Sequence, residues 1–71
     1  MADNTYRKTE IVGTSTEGVD AAIRNGIVRA NKTLRNLDWF EVGEIRGHLE
    51  GGQIAHVQVT MKVGFRLEDE D

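Results

Sequence analysis

The chain has no cysteine, one Trp, one Tyr and two Phe among its 71 residues, and no long apolar run. Without cysteine, disulfides and thiolate-held zinc are excluded. Its two histidines, His48 and His56, stand eight apart, outside the close spacing of a zinc motif, so a structural metal is not expected. No apolar stretch approaches the ~20 residues of a membrane span, and the polar "MADNTYRK" start lacks the apolar centre of a signal peptide. A soluble, cytoplasmic protein without a membrane partner is the expectation. Basic residues are also in deficit: Asp and Glu exceed Lys and Arg, the formal charge is -3, and the chain ends "LEDED", which argues against a nucleic-acid partner.

Enzymatic signatures are missing as well. There is no Gly-rich phosphate loop or nicotinamide-binding fingerprint, no Cys nucleophile, and no Ser near a His in a nucleophile elbow. Glu41 with Glu44, and the acidic tail at 68–71, read as solvated charge rather than an acid and base pair. A binding protein is therefore expected rather than an enzyme. A chain this short buries only about 60% of the surface its unfolded form exposes. With disulfides and metal set aside, self-assembly is the remaining source of stability.

What is present is a clear pattern of periods. Residues 5–13, "TYRKTEIVG", suit a half-exposed strand. A capping box of Thr14 with Glu17, or Ser15 as N-cap, opens a helix. Val19, Ala22, Ile23, Gly26, Ile27, Ala30, Leu34 and Leu37 then recur at steps of three and four, an apolar stripe along about five turns. Gly26 inside that stripe predicts close approach of the helix to a sheet or a neighbouring chain. After Asp38 the period becomes two, with Trp39, Glu41, Gly43, Ile45, Gly47 and Leu49 on one side and Phe40, Val42, Glu44, Arg46 and His48 on the other. "EGG" at 50–52 supplies a turn. Ala55, Val57, Val59, Met61, Val63, Phe65 and Leu67 then alternate with His56, Gln58, Thr60, Lys62, Gly64 and Arg66, one apolar face and one polar.

These periods predict a single α+β domain over 1–71, in the order strand, helix, strand, strand. The third strand sits in the middle of a three-stranded antiparallel sheet, with the helix across its apolar face. One helix cannot cover such long strands, and two edges stay open, so the sheet itself points to self-association.

A turn at Gly51 and Gly52 sets residues whose numbers sum to about 103 or 104 opposite one another, so Arg46 faces Gln58. A planar cation beside an amide can read the polar edge of a flat heterocycle, or can be an ordinary cross-strand pair on a wet face. His56 reads as a surface or interface residue. Trp39 lies about 20 Å from Arg46 along the strand, so the two serve one ligand only if the strand bends or a second chain supplies one of them. Trp39 itself reads either as a core or interface anchor or as a stacking platform for a planar ring.

From "YRKTEIVGTS" through "GVDAAI" and "TLRNLDWFEVGEIRGH" to "VQVTMKVGFRLED", the chain resembles the dodecins, in their bacterial branch. The resemblance implies a hollow homododecamer that binds flavins in pairs at twofold axes, the rings sandwiched between symmetry-related tryptophans. Trp39 matches that tryptophan, Gln58 the glutamine on the pyrimidine edge of the flavin, and Arg46 an arginine of the bacterial branch. Arg46 tilts the expected cofactor to FMN over riboflavin or FAD, and some bacterial relatives also take coenzyme A. Arg46, His48 and Lys62 have the chemistry to meet a phosphate. The implied role is flavin storage with photoprotection. The alternatives are a structural shell in which Trp39 is an interface anchor, and a flavin reductase.

Overall fold

The computed structural model describes residues 3–68 and has the order strand β1 (Tyr6–Ser15), helix α1 (Val19–Ala30), strand β2 (Leu37–Glu50) and strand β3 (Gln53–Arg66). All pairing is antiparallel, in the spatial order β1-β3-β2, as the periods predict. Gly51 and Gly52 both take positive φ, 58° and 78°, the conformation that a two-residue hairpin turn requires at its centre. Of the acidic tail at 68–71, only Glu68 is among the described residues.

The core sits between α1 and one face of the β1–β3 pair. Ala22, Val59 and Met61 are fully buried, with Ile11, Val19, Ile23, Ile27 and Val57 packed around them. Gly13 and Gly26 set the distance between helix and sheet. A Cβ on Gly26 would stand 3.3 Å from the Gly13 Cα and 3.0 Å from the Met61 Cε, and one on Gly13 would overlap the Ala22 carbonyl. The interruption of the apolar stripe at Gly26 thus marks close approach of helix to sheet.

The helix is shorter than its stripe suggests. It ends at Ala30, not near Leu37, and residues 31–33 form turns in which Thr33 and Leu34 both donate to the Ala30 carbonyl. Asn31 and Thr33 are poor helix formers, and Asn36 adopts a left-handed φ of 65° that ends any continuation. Its start also differs from a capping box. Gly18 occupies the N-cap position without a side-chain cap, while the Ser15 hydroxyl accepts the Glu17 N–H at 2.8 Å in the preceding turn.

Twelve helical residues span about 18 Å, whereas 14 strand residues span about 48 Å. Much of the sheet's apolar face is therefore bare. On that face Ile45 is 56% exposed, and at the far end of the hairpin Leu49 and Ile54 are 64% and 70% exposed. A groove of about 470 Å³ also separates the α1 flank, at Ile23, Ile27 and Val28, from Phe40 of β2.

Close contact at Gly13 yields a stability test. Gly13→Ala must push α1 off β1, and the strain costs about 1–3 kcal/mol or more. The expected result is a lower urea midpoint with an unchanged slope; a midpoint equal to the parent's refutes the contact.

Candidate functional site

On the sheet face turned away from α1, the side chains fall into rows defined by the register. Directly opposed residues in antiparallel strands point to the same side. Reading across β1, β3 and β2, the rows are Lys8, Gly64, Trp39; then Glu10, Lys62, Glu41; and further along Thr14, Gln58, Arg46. Beyond these, His48 faces His56.

Simple alternation puts Trp39 and Arg46 on opposite sides of β2, and the structure overturns that reading. Between Val42 and Ile45 the register shifts by one, a β-bulge in which three steps on β2 match two on β3. The extra residue inverts the alternation, so Trp39 and Glu41 share a face with Arg46 and His48. A bulge inserts a backbone irregularity rather than a side-chain pattern, and Gly43 lies within it.

Trp39 is not a core residue of its own chain. Its indole lies across the central strand at Gly64, where a Cβ would overlap three indole carbons, and it is 38% exposed. The bare glycine lets the ring cross β3 toward β1, where the Tyr6 ring meets it edge-on with centroids 5.1 Å apart and planes at 66°. Asn36 anchors the entry to β2 from the same end. Its side-chain amide donates to the Arg66 carbonyl at 3.1 Å, and its own carbonyl accepts the Arg66 N–H at 3.1 Å. Tyr6 and Gly64 were not legible as site residues in the sequence; only the three-strand register, which sets Tyr6 against Arg66 and Gly64 against Trp39, carries that signal.

Arg46 stands opposite Gln58, as the turn position predicts. Arg46 is exposed and Gln58 half-buried, so a cation and an amide present donors and an acceptor side by side. His48 stacks on His56 with centroids 5.3 Å apart and planes at 22°, and its Nε2 lies 3.7 Å from a Glu50 carboxylate oxygen. His56 is thus the half-buried partner in a stacked pair rather than an isolated surface residue. Lys62 stands between Glu10 and Glu41 in its row, while Lys8 reaches Glu41 at 3.3 Å. Two flanking carboxylates make Lys62 a poorer anion contact than Arg46.

Trp39 and the Arg46–Gln58 pair do not meet within one chain. Their partners on β3, Gly64 and Gln58, are six residues apart, about 20 Å along the strand. The bulge aligns their faces without closing that distance. Among the described residues no helix is long and apolar enough to cross a membrane, and no group of three metal-ligating side chains gathers.

Three comparisons bear on this arrangement. A family model described as Dodecin matches residues 5–68. The chain is 56% identical over 64 residues to the dodecin of Thermus thermophilus, covering 90% of this chain and 93% of that protein. Dodecin from Streptomyces davaonensis superposes at a TM-score of 0.93 with 72% identity, covering 96% of this chain and 100% of the other. Dodecin from Streptomyces coelicolor does so at 0.93 with 60% identity, covering 99% and 100%.

Since Gly64 makes room for the indole, Gly64→Ala should lift Trp39 off the sheet. Trp39 is the only tryptophan, so its emission reports this event alone. A red-shifted emission with unchanged far-ultraviolet circular dichroism is expected; an unshifted spectrum rules out the flat contact.

Proposed function

The chain belongs to the dodecin family, and on that premise we propose that it is a flavin store that holds FMN against Trp39 and suppresses its photochemistry. Dodecins are small flavin-binding proteins rather than enzymes. The observation that carries the reading is the indole of Trp39, laid flat over Gly64 and part-exposed on the sheet face. A bound flavin supplies a planar, light-absorbing ring, and the residues present fit such a group. Trp39 offers an electron-rich face for stacking, worth about 1–3 kcal/mol per ring. Gln58 offers the donor and acceptor that a pyrimidine edge requires, and Arg46 beside it adds a cation for a phosphate or a ring carbonyl. His48 is the next cation-capable group along the same face.

Because Trp39 and Gln58 lie about 20 Å apart in one chain, a single ring meets both only when a second copy contributes one of them. Self-association is supported independently by the bare apolar face at Ile45, Leu49 and Ile54. A twofold axis beside Trp39 pairs two indoles around two rings, and the closed form proposed is the homododecamer of the family.

The test is a titration of fixed, dilute FMN with flavin-free protein, following flavin fluorescence. Quenching should saturate near one flavin per chain, and Trp39→Ala should weaken binding by about two orders of magnitude while the oligomer persists. Unchanged emission with the parent protein defeats the FMN assignment, and collapse of the oligomer on Trp39→Ala assigns the indole to subunit anchoring instead.

A further inference from the structure

An indole on an exposed strand has freedom about two side-chain torsions, and Gly64 supports only the face turned to the sheet. Something else must fix the ring within that plane. From β1, positions 6 and 8 share its side of the sheet. Lys8 is drawn to Glu41, with its Nζ at 3.3 Å from the carboxylate, which leaves Tyr6 as the β1 group against the ring. Tyr6 meets the indole edge-on at 5.1 Å, the geometry in which the positive rim of one ring faces the negative surface of another. The backbone around Tyr6 is tethered in turn, since the Thr5 carbonyl accepts the Leu67 N–H at 2.9 Å, and Arg66, opposite Tyr6, is bonded through both backbone groups to Asn36, three residues before Trp39.

We propose that Tyr6 is the positioning residue of the site: its edge-to-face contact holds the Trp39 indole flat over Gly64, in the orientation that receives a planar ligand. The contribution is to orientation rather than to ligand contact. Its consequence for FMN rests on the flavin reading above, whereas its consequence for the indole does not. Among the described residues the Tyr6 hydroxyl has only a long 3.5 Å approach from the Asn4 amide, so the aromatic ring rather than the hydroxyl does the positioning.

The experiment compares Tyr6→Phe, which keeps the ring, with Tyr6→Leu, which keeps apolar bulk without an aromatic edge. Two readouts are taken on the assembled protein: time-resolved anisotropy of the single tryptophan without flavin, and FMN affinity by fluorescence quenching. Tyr6→Leu should show faster local depolarisation of Trp39 and FMN binding weaker by about 2- to 12-fold, the range of an aromatic pair. Tyr6→Phe should match the parent in both. Parental anisotropy in Tyr6→Leu overturns the proposal, and so does an equal loss in both variants, which would assign the effect to the hydroxyl. Should the parent protein leave FMN emission unchanged, the flavin reading falls, while the anisotropy still decides whether Tyr6 holds the indole.

Discussion

The site depends on one contact, the indole of Trp39 lying on the bare backbone of Gly64. A side chain on a central strand normally stands between its neighbours and keeps the outer strands apart. Where that side chain is a hydrogen atom, a large ring from one edge strand can cross the middle strand and touch the other edge. Trp39 from β2 and Tyr6 from β1 meet for that reason. The rest of the fold serves the register that brings Gly64 beneath the ring. The glycine turn sets where β2 and β3 begin to pair, and Asn36 ties the start of β2 to the end of β3.

The opposite face explains why one chain is an incomplete object. Its core is small because α1 covers only the β1 side of a much longer sheet, and among the described residues no additional element reaches Ile45, Leu49 or Ile54. Burying an exposed aliphatic side chain is worth roughly 1.5–3 kcal/mol, so the bare strip favours association far more than the exposed ion pairs do. Lys8 with Glu41 and Arg35 with Glu68 are solvent-exposed and worth about 0–1 kcal/mol each. The same association would supply the second half of a ring-binding site, which a single chain holds 20 Å apart. On the proposed function, stability and ligand binding would therefore draw on the same assembly.

Charge plays a secondary and local part on the sheet face between the two halves. Lys62 lies between Glu10 and Glu41 in the register, so the middle of the face is balanced rather than cationic. Cations flank that balanced middle at both ends of the face, Arg66 opposite Tyr6 beside Trp39 and Arg46 opposite Gln58. The exposed indole of Trp39 and the amide of Gln58 stand at separate places along one strand pair. Such a division suits a ligand with a flat ring and a polar margin.

The sequence by itself determined the strand-helix-strand-strand order, the central place of β3, the turn at Gly51 and Gly52, and the opposition of Arg46 to Gln58. These follow from side-chain periodicity and turn chemistry, which are local and recur every two or three to four residues. Only the tertiary structure decided three further points. The apolar stripe runs on past Ala30, but the helix ends there in turns at 31–33, and Asn36, with its left-handed backbone and its hydrogen bonds to Arg66, 30 residues away, directs the chain into β2 instead. Alternation alone separates Trp39 from Arg46, and the bulge between Val42 and Ile45 reunites them because one unpaired residue inverts every side chain beyond it. Tyr6, Gly64 and Trp39 come from three strands, and nothing in the spacing of any one strand announces their meeting. It arises from the register of all three together.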